Sequence, residues 1–372
     1  MQRRIASGVV VGLLAMGITA CGSSSSSDTS AASSSSASST AAPGGAFDAA
    51  VAKASAPISN WTGPTGAPKP AAKKKIVVVT CSSQGNGCVR AAQGVTDAGR
   101  KLGWSVQTID GQGNPQAWNG GINTAISEKA DGIVLDAVPP ALVGDALVKA
   151  KAAKIPVVSI FNPDLGKSSP VFSYVTPDHT AQGKVMADWV AAESKGKAQI
   201  VLIEDNEFPE LVQRVDGFKA ELAKCSGCKV VDTVQSQIGT MAQKLPGAVA
   251  SSLQSHPTAN YVISPFDSNA TFTGQGVRQA GKQGTVKVAG YEGDSQAVDA
   301  IRKGQIQAMT VADPAEWMGW QAVDEFNRAF SGQKAQNTPV QWRVLTKSNV
   351  PATGNWTGDF DYRGQYGQLW GR

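Results

Sequence analysis

KKKIVVVTCSSQGNGCVRAAQGVTDAGRKLGWSVQTID, residues 73–110, decides how the rest of the chain is read. Residues 76–79 form a short apolar, β-branched run, the pattern of a strand buried on both faces of a parallel sheet. The loop after it, residues 81–87, is small, polar and glycine-containing. Cys88, Ala92, Val95, Gly99 and Leu102 then recur at helical spacing, with Arg90, Gln93, Asp97 and Arg100 on the other side. Gly103 stands where a helix closes in a left-handed residue, and Trp104 begins a second strand. This is a βαβ start, and open parallel sheets bind ligands outside the carboxyl ends of their strands. Residues 81–87, with Ser82, Ser83 and Gln84, are therefore the first candidate site.

The N-terminus stands outside the fold argument. Arg3 and Arg4 precede an apolar stretch, residues 5–20, that ends in Ile18-Thr19-Ala20-Cys21. A basic start, a short apolar run and small residues before the cut describe a secretory signal peptide over residues 1–20. The run is shorter than the roughly 20 residues a spanning helix needs. Its ending resembles a bacterial lipobox, which implies that Cys21 is lipidated and becomes the new N-terminus. Residues 22–45 are nearly all Ser, Ala, Thr and Gly, with little apolar surface to offset the entropy of ordering. Residues 47–54 have the composition of a short helix, and residues 60–72 are rich in Pro and Gly. The whole of residues 21–72 is expected to be a lipid-anchored flexible tether, with an r.m.s. reach of roughly 40 Å.

About 300 residues remain, too many for one ordinary core and suited to two lobes. The net charge of +5 is modest, and no basic stripe with interleaved aromatics is present, which argues against nucleic acid. Beyond Cys21 the cysteines fall into two local pairs, Cys81 with Cys88 and Cys225 with Cys228. Outside the cytosol such pairs become disulfides, each contributing roughly 2 kcal/mol in the chain-entropy description. A redox role for Cys225-Ser-Gly-Cys228 is the other reading, but the motif falls between a helix and a strand rather than at a helix N-terminus. A four-cysteine zinc site is disfavoured because the pairs lie on distant segments. Only two histidines occur, His179 and His256, and there is no GxSxG, HExxH or P-loop pattern. No enzyme activity, metal or cofactor is expected.

Strands and helices alternate along the chain. Helices are expected over residues 114–128, 141–152 and 179–193, and strands over 132–135, 156–161 and 171–176. A second run of the same pattern follows, with strands over 198–203, 229–233, 261–264, 286–291 and 307–311. Its helices cover 209–222, 241–253, 270–280, 295–303 and 314–330. The fold class this predicts is α/β, with two Rossmann-like doubly wound lobes facing one another across a cleft.

The order and wording of these elements resemble the sugar-type periplasmic binding proteins, the ribose-binding group of ABC-transporter solute-binding proteins. The resemblance runs from about residue 74 to 344 and rests on ADGIVLDAV (130–138), KAAKIPVVSIFN (151–162) and VTPDHTAQGKVMADWV (175–190). RVDGFKAEL (214–222) and VKVAGYEGDSQAVDAIRKGQIQAMTV (286–311) extend it. It implies a type I periplasmic binding protein fold with a three-strand hinge near residues 176–178, 312–313 and 336–341. The N-terminal lobe would cover 73–176, completed by 313–337, and the C-terminal lobe 177–312, completed by 338–348. Residues 349–372 exceed it.

For the site, the resemblance implies that Arg214 donates to ligand oxygens, as a guanidinium fork can. Glu292 stands in place of the family's aspartate, and Asp267 matches the aspartate of its Asn-Asp pair, with Phe266 where the asparagine would be. Gly87 and Cys88 replace a pair of phenylalanines, Phe161 and Asn162 replace Asp-Arg, and Ala312, followed by Asp313, replaces the hinge glutamine. The ribose contact set is largely absent. Phe161, Phe208 and Phe266 follow strand ends and offer aromatic faces, while Ser82, Ser83, Gln84, Asn162 and Asn206 offer neutral polar groups. The candidate carboxylates Asp136, Glu204, Asp205, Asp267, Glu292 and Asp313 outnumber Arg214, so a neutral polyhydroxylated or a cationic ligand is favoured over an anion.

The function expected is an exported, monomeric lipoprotein that captures a small sugar-like ligand between its lobes and delivers it to an ABC permease with its ATPase. The alternatives are a lipoprotein that senses ligand for a membrane receptor, and uptake of an aromatic or amine solute.

Overall fold

The computed structural model describes residues 43–164, 166 and 169–372. The signal peptide expected over residues 1–20 and the lipidation expected at Cys21 lie outside the described residues. Among them are eleven α-helices, one short 3-10 helix and eleven strands, largely in alternation.

The first sheet is entirely parallel, in the order β2 (Ser105–Asp110), β1 (Lys75–Thr80), β3 (Gly132–Asp136), β4 (Val157–Ile160), β5 (Ser173–Val175). Its middle strands are buried along their length, as the β-branched run in β1 requires. Helices α2 (Asn86–Leu102), α3 (Pro115–Ser127) and α4 (Gly144–Ala152) connect them. Gly103, at φ 74°, closes α2 by donating to the carbonyls of Arg100 and Gly99. Asn114 caps α3 by accepting from the Ala117 amide, with Pro115 at the first helical position.

The second sheet repeats the pattern. Its order is β7 (Lys229–Gln235), β6 (Gln199–Glu204), β8 (Tyr261–Ile263), β9 (Lys287–Glu292), β10 (Gln307–Ala312), with β11 (Arg343–Thr346) antiparallel on the edge. Five strands of each sheet thus share one winding, second-first-third-fourth-fifth. Helix α5 (His179–Glu193) lies against α6 (Pro209–Leu222), and α7 (Met241–Ser255) against α8 (Asp267–Gln279). Helix α9 (Ser295–Arg302) precedes β10, and α10 (Ala315–Phe330) crosses to pack on α2 of the first lobe. Glycines permit these close approaches: a Cβ at Gly94 would stand 2.2 Å from the Glu316 carbonyl oxygen of α10. Cys81 is paired with Cys88 and Cys225 with Cys228.

Two segments depart from expectation. Residues 43–72, expected to be tether, are packed against the lobes. Helix α1 (Pro43–Ser55) sets Phe47, Val51 and Ala54 against the second-lobe core beside α5 and β11. The chain then crosses to the first lobe, where Trp61 stacks on Trp317 at 5.7 Å between ring centroids. The Ala71 amide donates to Asn327 and its carbonyl accepts from Trp104. Composition misled here because a few large apolar groups supply the burial that the Pro- and Gly-rich run lacks.

Residues 349–372 make the same crossing from the other end. The Trp356 amide donates to Gly293, and Asp359 accepts from Arg343, from Trp356 Nε1 and from the Ile58 amide. Helix α11 (Tyr362–Trp370), capped by Asp361, then lies on α10, with Trp370 stacked on Trp320 and bonded to Asp324. The two lobes are therefore spanned by these straps as well as by residues 176–178, 312–313 and 331–342.

Candidate functional site

In each sheet the winding reverses between the first and third strands, which is where doubly wound sheets open a crevice. The two crevices face each other. The loop after β1 supplies Gly85 and the Cys81–Cys88 pair, and the end of β3 supplies Ala137. From the second lobe come Phe208, Glu210 and Leu211 after β6, Ile238 after β7, Phe266 after β8 and Glu292 at the end of β9. Together these residues line a cavity of ≈ 30 Å³, room for about one or two waters.

The cavity is small because the lobes are closed on one another. Phe208 of the second lobe lies against Trp118 of the first, 6.1 Å between ring centroids. The Asn86 amide at the start of α2 donates to Ser268 Oγ at 3.0 Å. A Cβ on Gly87 would meet the Glu292 carboxyl at 2.7 Å, so only glycine admits that carboxyl so close to α2. Arg90, buried on α2, donates to the Glu292 carbonyl (2.8 Å), to Asp294 (3.1 Å), to Glu316 (2.8 Å) and to the Trp356 carbonyl (2.8 Å).

Backbone strain gathers at the same strand ends. Ala137 (φ 50°), Phe161 (φ 69°) and Glu292 (φ 100°) all take the left-handed region without being glycine. Such residues cost on the order of 1–3 kcal/mol each and persist where surrounding structure holds them, commonly at binding sites.

The most informative feature is a set of buried oxygens with no hydrogen-bond partner. Both Asp136 oxygens, Asn162 Oδ1, Asp205 Oδ2, Glu210 Oε2 and Glu292 Oε2 are of this kind. Burial pushes the Glu210 and Asp205 carboxyls up to about 7. Burial, and then the neighbouring Glu210, hold Asp136 well above the usual carboxylate range. Burial, and then Asp294, do the same to Glu292. Of these, Glu210 and Glu292 line the cavity as acceptors in want of donors, and Asp136 lies within electrostatic reach of Glu210.

Several residues picked out in the sequence have other tasks in the closed form. The Arg214 guanidinium, 1% exposed, donates to Asp313 at 2.9 Å, to Gln182 at 3.1 Å and to the Pro265 carbonyl at 3.1 Å. Asp313 also accepts from Gln182 at 2.5 Å. His179 continues the network, with Nδ1 3.1 Å from Gln182 and Nε2 2.6 Å from the Phe161 carbonyl. Burial, and then Arg214, keep His179 neutral, down at about 3. This network joins residues 176–179 to the β10–α10 crossing, so Arg214 and Asp313 fasten the hinge.

Asp267 accepts from the Gly293 and Asp294 amides, from Thr310 and from Gln307, which uses both its oxygens inside the second lobe. Phe161 is packed in the first-lobe core, and Asn162 spends its amide hydrogens on Val138 and Ser159 while leaving Oδ1 unpartnered. Ser82 accepts from the Gln84 amide within the turn, and Ser83 donates to Asp110, so both stabilise the loop itself. Ser83 and Gln84 are exposed. Glu204 pairs with Lys219 on the surface. Asn206 lies on a groove of ≈ 470 Å³ that shares no lining residue with the cavity.

Of the residues picked from the sequence, the cavity brings together Phe208, Phe266, Glu292 and the first cysteine pair. It adds Glu210, Leu211 and Ile238. Glu210, next to Pro209 in the first turn of α6, reads in sequence as an ordinary acid favouring the helix N-terminus, with no local signal of a site. Among the described residues no group of three or more acids, histidines or cysteines forms a metal site, and no helix is long and apolar enough to cross a membrane.

Two doubly wound lobes, closed over an acceptor-lined cavity at their facing switch points, define a two-lobe ligand-binding protein. The chain belongs to the periplasmic binding protein domain family, whose match spans residues 76–334. It is similar to the ribose import binding protein of Salmonella typhimurium, 23% identical over 279 residues, covering 74% of this chain and 92% of that relative. The D-apiose import binding protein of Paraburkholderia graminis is 26% identical over 312 residues, covering 81% and 95%. Among solved structures, the 5-methylthioribose transporter solute binding protein from Thermotoga lettingae superposes with a TM-score of 0.70 at 19% identity, covering 82% of this chain and 96% of that one.

Proposed function

We propose that this chain is an exported solute-binding lipoprotein. It captures a small polyhydroxylated ligand between its lobes and presents the closed complex to an ABC permease coupled to its ATPase. The observation that carries the reading is the cavity itself, built from both lobes at their switch points and lined by unpartnered oxygens. Family membership and relatives named for ribose and apiose import support the same role.

Capture follows from differential affinity. A ligand touching both walls binds the closed arrangement better than the open one and shifts the equilibrium toward it. Hydroxyl donors would satisfy the acceptors of Asp136, Asn162, Glu210 and Glu292 that closure otherwise buries alone. The aromatic walls Phe208 and Phe266 would take the apolar face of the ligand. Cys21 is the proposed anchor after removal of residues 1–20, and both cysteine pairs are proposed to be oxidised in the exported protein.

The test is a thermal-shift screen of sugars, polyols, amines and small aromatics on the mature protein. At least one hydroxylated compound is expected to raise the melting temperature and to bind with a measurable heat. Stabilisation by none of them, or by flat aromatics alone, would contradict the reading.

A further inference from the structure

We propose that the ligand carries a cationic nitrogen, an ammonium on a small hydroxylated skeleton, seated between Asp136 of the first lobe and Glu210 and Glu292 of the second. This rests on the reading of the cleft as a polyol site and narrows it.

The charge balance carries the argument. Two arginines lie near the cavity, and both are matched. Arg90 is held by Asp294 and Glu316, and Arg214 by Asp313. Asp267 is satisfied by four donors within its own lobe. Asp136, Glu210 and Glu292 are left with no hydrogen-bonded cation, although Asp136 is 0% and Glu210 4% exposed.

The chemistry of the unpartnered atoms points the same way. Every one of them in this region is an acceptor. A hydroxyl both donates and accepts, so a neutral polyol is matched only where one of these carboxyls keeps its proton to donate. The Asn162 amide hydrogens and the arginine forks are already engaged. An ammonium has three donors and no acceptor, which matches a cluster of carboxylate oxygens from two walls. Phe208 and Phe266 line the cavity beside Glu210 and Glu292, and aromatic faces also attract a cation.

Burial raises these carboxyls, Glu210 to about 7, so near neutral pH the empty closed form keeps part of their protons. An arriving ammonium replaces those protons, and binding should release them. The ≈ 30 Å³ of room requires the lobes to part before the ligand seats.

The experiment is titration calorimetry of the mature protein with matched pairs near neutral pH. The pairs are 1-amino-1-deoxysorbitol against sorbitol, and glucosamine against glucose and N-acetylglucosamine. The amino member should bind at least about tenfold tighter, a difference of roughly 1.4 kcal/mol. Repeating the titration in buffers of different ionisation enthalpy should show proton release. Glu210→Gln and Asp136→Asn, each checked for folding by circular dichroism, should bring the ratio below about threefold; either variant suffices if the other misfolds. Equal or tighter binding of the neutral member overturns the cationic ligand while leaving the polyol site standing. A preference that survives both substitutions overturns the assignment to these carboxylates. No heat from any of these compounds, amino or neutral, counts against both this proposal and the polyol reading beneath it.

Discussion

Arg214 on α6 donates to Asp313 at the β10–α10 crossing across 2.9 Å, with side chains 2% and 0% exposed. The guanidinium expected to grip ligand instead grips the hinge. Removing one member of a buried pair strands the other charge, which costs about 3–5 kcal/mol. Arg214→Ala should therefore lower the stability of the ligand-free protein by that order, read as a large fall in melting temperature. A melting temperature within error of the parent would show that the pair contributes nothing to the fold.

The buried carboxyls predict a pH dependence with a definite sign. Glu210 and Asp205 rise to about 7 in the folded chain, from ordinary values of 4.5 and 3.8, and Asp267 to about 8. The folded state therefore binds more protons than the unfolded one, and the stability this confers is lost as pH climbs through the folded values. His179, lowered to about 3 from 6.5, acts oppositely, but its contribution is complete by about pH 6.5. Between about pH 6.5 and 8 the melting temperature of the ligand-free protein should fall. Glu210→Gln should flatten that fall, and a profile that rises over the same interval would contradict the burial of these acids.

The cysteine pairs separate stability from binding. The loops closed by Cys81–Cys88 and Cys225–Cys228 are short, so each pair should be worth roughly 2 kcal/mol. The first lines the cavity and the second lies on the far side of the second lobe's core, between α6 and β7. Paired serine substitution at 81 and 88 should lower both melting temperature and ligand affinity. Substitution at 225 and 228 should lower the melting temperature only. Thiol labelling of the unreduced, denatured exported protein should find none of the four free.

Much of the fold was legible because its signals are local. The β-branched run of β1, Gly103 after α2 and Pro209 at the start of α6 each announce an element boundary from a few neighbouring residues. The repeated alternation then implies two doubly wound lobes. The site was less legible. Phe208, Phe266 and Glu292 follow strand ends and were reachable by that rule. Whether Arg214 or Asp267 faces ligand or lobe depends on partners such as Asp313 and Gln307, 99 and 40 residues away in sequence. Helix α11 and the strap through Trp61 were hidden for a similar reason, since their aromatic partners Trp317 and Trp320 lie on a distant helix.

Anchoring is tested by Cys21→Ser. If acyl chains hold the protein at the membrane, that variant should leave the membrane fraction for the soluble exported one. Unchanged retention would argue against lipidation at that cysteine.

Closure on ligand is the central claim, and an inter-lobe distance reports it directly. Gln116 on α3 and Gln243 on α7 are exposed on opposite lobes, beside loops that meet where Ile238 approaches Gly113. Spin labels at these two positions, read by pulsed electron resonance, should give a broad or long distance distribution without ligand. Saturation with the stabilising compound from the screen should shift it to a single short distance matching the closed lobes. A distribution that calorimetrically confirmed binding leaves unmoved, with the long distances still populated, would contradict capture by closure.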